Sequence, residues 1–295
     1  MKFGVLGFSY NGFDTFRADL ANRGSYSTNL GDNAQSIAAR YVYRQLGVDD
    51  ADMATLDRDT LTSYDGSPAT LIMNGVFWAH HLPTPPQVRP IFVGFRVNHP
   101  AAIRQHRDWL AAHQPIGCRD PATAVWLTKV GIEAFVTGCI TMCLPPRPAA
   151  PQDGKLLVVF GEKAGHLPAE ILQAIPNHLL GRTEYIAHRL PVFQYPLSAQ
   201  AMMQVEQYEH SILNRYRDEA ALVVTSLLHV ASPCLGLNVP VVLCRKDRDA
   251  RFGLLETKIP LYTPDCVGDV DWAPYIPDVR PDAARIVELV GRALG

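Results

Sequence analysis

Apolar positions along this chain alternate between short unbroken runs and longer stretches with helical spacing. Phe3–Phe8 is an apolar run that reads as a buried strand. Ala34, Ile37, Ala38, Tyr41 and Val42 then recur every three or four residues, which puts them on one side of a helix over 33–46. Asp32 stands where the N-cap of that helix belongs, and Gly47 where it should close. Leu71–Asn74 and Ile91–Phe95 are two further predicted strands. Asp120-Pro121 opens the next helix, Gly131 ends it, and Ala134–Thr137 is the last predicted strand of this half.

The second half repeats the rhythm. Leu156–Phe160, Ala221–Thr225 and Val239–Cys244 are continuous apolar runs, the mark of strands covered on both faces, and Tyr185–Ala187 is a shorter one. Ser198 is placed to cap a long helix bearing Ala201, Val205, Tyr208 and Ile212, and Ala283, Ile286, Val287 and Val290 predict a terminal helix. Strands alternating with helices of this length predict an α/β fold of parallel sheets flanked by helices. Between the halves, Leu144–Gly154 carries Pro145, Pro146, Pro148 and Pro151. Proline lacks the N–H that helices and ladders need, so this is read as an extended linker joining domains 1–147 and 148–295. Two such domains side by side leave a cleft.

Size and charge narrow the picture. The chain has 295 residues, about twice a usual domain. Its 27 Lys and Arg against 29 Asp and Glu give a net charge of -2, which argues against non-specific nucleic-acid binding. No apolar run approaches the ~20 residues of a membrane span. The opening MKFGVLGFSYNGFD breaks at Asn11-Gly12 and reads as a strand, not a signal peptide. Six cysteines suit reduced thiols and a cytoplasmic location. Cys139 and Cys143 lack a second ligand pair and read as core thiols, so no metal is expected. The phosphate loop, the dinucleotide fingerprint, the nucleophile elbow and the H-E-x-x-H motif are all missing.

Open parallel sheets bind ligands beyond the carboxyl ends of their strands. The residues there are Ser27 to Asn33, Arg96, Cys118-Arg119-Asp120, Gly161-Glu162-Lys163, Ser226 and His229, and Arg245-Lys246-Asp247-Arg248 with Arg251 nearby. Cations so placed suit a small anion bearing phosphate or carboxylate, which arginine pairs in a bidentate way. Each residue also has a structural reading. Asp32 caps its helix or does chemistry. Gly31 lets the backbone approach closely, which would make that helix N-terminus an anion site. His229 is a structural or an acid/base histidine. Arg119-Asp120 is an exposed pair or a ligand site, and 245–251 a solvated loop or a donor site. Trp78, His80 and His81 lie in an aromatic, proline-rich loop, a surface feature or a platform for a sugar ring.

Three blocks in order carry a resemblance: NLGDNAQSIAARYVYRQLG, IGCRDPATAVWLTKVGIEAFVTG and VVTSLLHVASPCLGLNVPVV, from Asn29 to Val242. They resemble the polysaccharide pyruvyl transferase family. That resemblance implies a GT-B-like architecture of two Rossmann-like domains with parallel sheets facing a cleft. It implies transfer of the enolpyruvyl carbons of phosphoenolpyruvate, a co-substrate, to two hydroxyls of a free or lipid-linked saccharide as a cyclic ketal, in exopolysaccharide biosynthesis. His229 would match the family's functional His, Arg119 its mid-chain Arg, and Asn29, Gly31 and Asp32 its first block. One departure stands out: Leu227 occupies a position where the family often has Arg.

Protonating the donor's methylene and activating hydroxyls needs an acid/base, and the donor needs fixed positive charge. His229 and Asp32 are the catalytic candidates. Arg119, Asn29, Gly31, Ser226, Arg245, Lys246 and Arg248 are the donor-binding candidates, the last three the next cations after Leu227 in sequence. Trp78, His80 and His81 are the acceptor candidates. No cofactor is demanded. The alternatives are a GT-B glycosyltransferase using a nucleotide sugar, with Glu184 or Glu206 as ribose contacts, and an inactive carbohydrate-binding member.

Overall fold

The computed structural model describes residues 1–162 and 166–295. Lys163 lies outside the described residues. The first half runs β1 (Lys2–Gly7), α1 (Asp14–Arg23), β2 (Tyr26–Asn29), α2 (Leu30–Gln45), β3 (Met53–Asp57), β4 (Ala69–Ile72), β5 (Gly75–Phe77), β6 (Val88–Ile91), β7 (Phe95–Val97), α3 (Pro100–Gln105), α4 (Arg107–Ala112), β8 (Ile116–Cys118), α5 (Pro121–Thr128) and β9 (Ala134–Val136). Its strands form two parallel sheets, β3-β1-β4-β6 and β5-β7-β8-β9.

These sheets are two parts of one bent surface. β5 resumes two residues after β4, and β7 three residues after β6. Backbone bonds from Met73 N to Ile91 O (2.8 Å) and from Gly75 N to Gly94 O (3.1 Å) carry the pairing across the bend. Gly75 and Gly94 adopt φ of 97° and 68°, a region that costs glycine nothing. The predicted strands Leu71–Asn74 and Ile91–Phe95 therefore straddle a break, because apolar residues continue through it while the backbone turns.

The second half runs β10 (Lys155–Phe160), α6 (Ala169–Gln173), α7 (Asn177–Leu180), β11 (Thr183–Ala187), β12 (Arg189–Val192), α8 (Ala199–Glu219), β13 (Ala220–Thr225), α9 (Leu228–Gly236), β14 (Val241–Cys244), β15 (Leu261–Tyr262) and α10 (Arg280–Leu294). All five strands of its sheet, β11-β10-β13-β14-β15, are parallel. Ser198 caps α8 by accepting the Ala201 N–H at 3.2 Å. The fold is a mixed α/β arrangement of two Rossmann-like halves.

Residues 144–154 hold no helix or strand, yet the halves are tied together elsewhere. β12 pairs antiparallel with β2, a strand inside what reads locally as a long loop. Leu197 and Val205 join the core of the first half, and α10 returns to pack on α2 and on the turn at Ile140–Cys143. One apolar cluster takes in Val5, Ala34 and Ile37 from the first half with Leu157, Val223, Val230 and Ile286 from the second. The Arg40–Glu206 ion pair (2.9 Å) adds a polar tie between α2 and α8.

This shared core predicts one cooperative transition. Leu157→Ala, a fully buried position, should cost ~2–5 kcal/mol. Three of the chain's four tryptophans (Trp78, Trp109, Trp126) lie in the first half. Urea unfolding followed by tryptophan fluorescence should therefore shift to lower denaturant together with the circular dichroism signal. A fluorescence transition that stays put while ellipticity shifts would mean two independent units.

Candidate functional site

Two helix N-termini, one from each half, come close together. α2 begins at Leu30 and α9 at Leu228. A Cβ placed on Gly31 would lie 2.2 Å from Cβ and 2.3 Å from Cγ of His229, so only hydrogen fits there. The narrow approach that Gly31 permits is thus made to His229. Both helices point the positive ends of their dipoles into this junction.

Asp32 sits inside the helix, not at its cap. Asn29 occupies the N-cap position, and its side chain makes no capping bond. The start lies earlier than the apolar spacing predicts because Leu30 is itself buried, in the core of the first half. The buried Asp32 carboxylate lies 3.6 Å from Nη1 of Arg58. Arg58 is itself enclosed beneath Phe8 (4.8 Å) and Trp78 (5.2 Å), and its Nη2 lies 2.8 Å from Asp59. Burial pushes Asp59 up to about 6, although Arg58 opposes the shift.

Arg119 follows β8 and is buried at 5% exposure. Asp120, its neighbour in sequence, is committed elsewhere: it caps α5 through the Thr123 N–H (3.0 Å) and accepts from Arg96 Nη1 (2.8 Å). Nε and Nη1 of Arg119 have no hydrogen-bond partner. A buried guanidinium with free donors is costly, so an acceptor is owed to it.

His229 faces the same region, and its Nδ1 is also enclosed without a partner. Burial pushes its imidazole well below the ordinary range, and positive charge on Arg119, His188, Arg251 and Arg189 adds to the shift. His229 is therefore neutral in this environment. Ser226 lies in the turn before α9 with its hydroxyl unpartnered and its carbonyl held by Arg245 Nη1 at 2.8 Å.

The other predicted residues separate. Asn29 ends β2, paired in register with Arg189. Arg245 is a structural cation: besides the Ser226 carbonyl it stacks over Phe252 (5.0 Å). Lys246 and Arg248 are exposed, with Arg248 paired to Glu256 at 2.9 Å. Both lie at the exposed surface, whereas Nδ1 of His229 is enclosed. Trp78 is half-buried against Phe13 (5.0 Å), and His80 is exposed beside it. His81 is wholly buried, accepting the Trp78 N–H (3.3 Å), and burial with the Arg58 charge pushes it down to about 2. An acceptor contact at His81 is thereby corrected to a packing role. Cys139 and Cys143 are buried. Glu184 pairs with Lys155 (2.6 Å) and Arg215, and Glu206 with Arg40, so neither is a free ribose contact.

Arg251, noted in sequence only as a cation near Arg248, joins Arg119 in lining one recess. A second feature escaped the local reading. Behind His229, the buried His188 and Glu209 pair through Nε2 and Oε2 at 2.9 Å. Burial raises the Glu209 carboxyl, and His188 opposes that rise. Only the apolar spacing of α8 hinted at a buried position there, since Glu209 lies next to Tyr208 and three residues before Ile212 on the inward side.

The family model for polysaccharide pyruvyl transferases matches residues 29–247. The chain belongs to the polysaccharide pyruvyl transferase family. The matched span opens at the end of β2, just before α2, includes Arg119 and His229, and ends just after β14. No curated protein matches. Among solved structures, a functionally uncharacterised protein of Klebsiella pneumoniae subsp. pneumoniae NTUH-K2044 is similar at 12% identity, with a TM-score of 0.44 over 86% of this chain and 88% of that one. Among the described residues, no helix is long and apolar enough to cross a membrane.

Two substitutions test how the site is held. Gly31→Ala should strain the junction by ~1–3 kcal/mol and displace His229, visible as a lower Tm and a moved imidazole resonance. Glu209→Ala strands a buried histidine and should cost ~3–5 kcal/mol in denaturant unfolding; a loss below ~1 kcal/mol would show that the pair is not desolvated.

Proposed function

We propose that this family member transfers the enolpyruvyl group of phosphoenolpyruvate to two hydroxyls of a saccharide, forming a ketal and releasing phosphate. The observation that carries the reading is the buried Arg119 guanidinium with two unpartnered donor atoms beside a neutral His229. A dianionic donor would satisfy the arginine, and the two helix N-termini would favour it further.

The same electrostatics give His229 its proton. Burial and neighbouring cations keep the ring neutral before the donor arrives. A donor bringing negative charge beside it reverses part of that shift. His229 then protonates the methylene carbon of the donor. The electron-poor C2 that results is attacked by one sugar hydroxyl, whose proton returns to the imidazole or passes to Asp32. The C2–O bond to phosphate breaks, and the second hydroxyl closes the ring. Of the two hydroxyl protons released, one replaces that spent on the methyl group and the other leaves with phosphate. Arg58 holds a guanidinium 3.6 Å from the Asp32 carboxylate.

The acceptor would lie over Trp78 and His80, which pack on Phe13; Trp78 connects to Asp32 through Arg58. Trp78 suits the apolar face of a sugar ring. The reading calls for no metal and no redox cofactor, and it fits a cytoplasmic enzyme of polysaccharide assembly.

Donor binding should take up a proton. Titration calorimetry with phosphoenolpyruvate in buffers of different ionisation enthalpy should show uptake that disappears in His229→Asn. The sign follows from linkage: a depressed pKa raised on binding makes affinity strengthen as pH falls. His229→Asn should also lower transfer by about 10²–10⁴-fold while the fold persists. Full transfer activity in that variant would remove His229 from the chemistry.

A further inference from the structure

We infer that Arg251, carried by the loop after β14, clamps the carboxylate of the donor together with Arg119, so that the two halves of the protein each supply one wall of a single carboxylate recess. This deepens the phosphoenolpyruvate reading and rests on it for the donor's identity.

The recess is lined by Arg119, Cys139 and Met142 from one half and by Leu228, Ser232 and Arg251 from the other. About 10 Å³ of it is open as the side chains stand, roughly what one water requires, so a ligand enters only as the half-exposed Arg251 side chain moves aside. Two guanidinium groups present a planar, bidentate face, and carboxylate has the matching shape.

The charges around the recess do not cancel internally. Arg119 has Nε and Nη1 free in a buried position. Asp249 grips Arg251 through Nε (2.8 and 3.0 Å) and Nη2, which leaves Nη1 for a ligand. Asp249 also faces Arg245 at 3.9 Å, so its one charge is shared by two cations. Asp120 answers Arg96. Leu227, where an arginine could have contributed, lies against Gly161 and brings no charge. Arg119 and Arg251 therefore share a partly dry recess with less negative charge than positive, and a bound carboxylate corrects the balance.

Asp249 also explains why Arg251 and not its neighbours serves. It accepts the Arg251 backbone N–H at 3.0 Å as well as the side chain, which fixes the guanidinium direction over a single helical turn. Arg251 is half-exposed, so its free edge remains open to an arriving ligand.

The test compares wild type with Arg251→Gln and Arg251→Lys by calorimetry against phosphoenolpyruvate, pyruvate and inorganic phosphate, with the exposed Arg280→Gln as a control. Unliganded melting curves exclude misfolding. Arg251→Gln is expected to weaken phosphoenolpyruvate and pyruvate at least about tenfold and to leave phosphate unchanged, with Arg251→Lys between. Wild-type affinity for phosphoenolpyruvate in Arg251→Gln overturns the inference and leaves the donor reading standing. Loss of phosphate binding with pyruvate unaffected overturns the carboxylate assignment. Pyruvate binding that depends on Arg251, with no affinity for phosphoenolpyruvate even in wild type, supports the recess and sinks the donor reading. Wild type binding none of the three overturns both.

Discussion

The contact between Gly31 and His229 organises the cleft. A helix N-terminus reaches a histidine on the facing domain only if no side chain stands between, and glycine alone meets that demand. Because the two halves share an apolar core through α2, α9 and α10, the contact is held at a set distance. Every charged group in the site takes its environment from that closeness. Burial keeps His229 neutral, strips Arg119 of water, and brings an arginine from each half to one recess.

Burying so much charge is costly unless partners are present. The fold meets most of that demand with neighbouring carboxylates: Arg58 has Asp59 and Asp32, Arg96 has Asp120, and Arg251 has Asp249. Arg119 has none within hydrogen-bonding reach. That imbalance, between the two halves, leaves Arg119 Nε and Nη1 without an acceptor from the protein itself. The pair of His188 and Glu209 differs in kind, since it is complete within the protein and sets the field behind His229.

Much of the fold was legible. β10, β13 and β14 announce themselves as continuous apolar runs because both faces are covered, and α8 and α10 by their spacing and by Ser198. β2 and β12 were not, since each is a short strand whose only partner lies some 160 residues away in sequence. The bend at Gly75 and Gly94 was hidden because hydrophobicity runs through it unchanged. At the site, His229, Asp32 and Arg119 stood out from their positions after strands. Arg245, Lys246 and Arg248 were nominated on proximity in sequence, whereas Arg251 is the cation of that stretch that lines the recess with Arg119.

By itself the sequence determined the elements, the parallel α/β class, the order of the three family blocks and the identity of the chemical groups available. Periodicity, capping and strand-end position are local properties, and a chain carries them without knowing its partners. Only the tertiary structure decided which groups meet and in what state. Whether His229 is neutral, whether Arg119 is satisfied and whether His81 can reach solvent depend on burial and on charges from distant segments. Electrostatic energy follows distance and local dielectric through space, and neither is written along the chain.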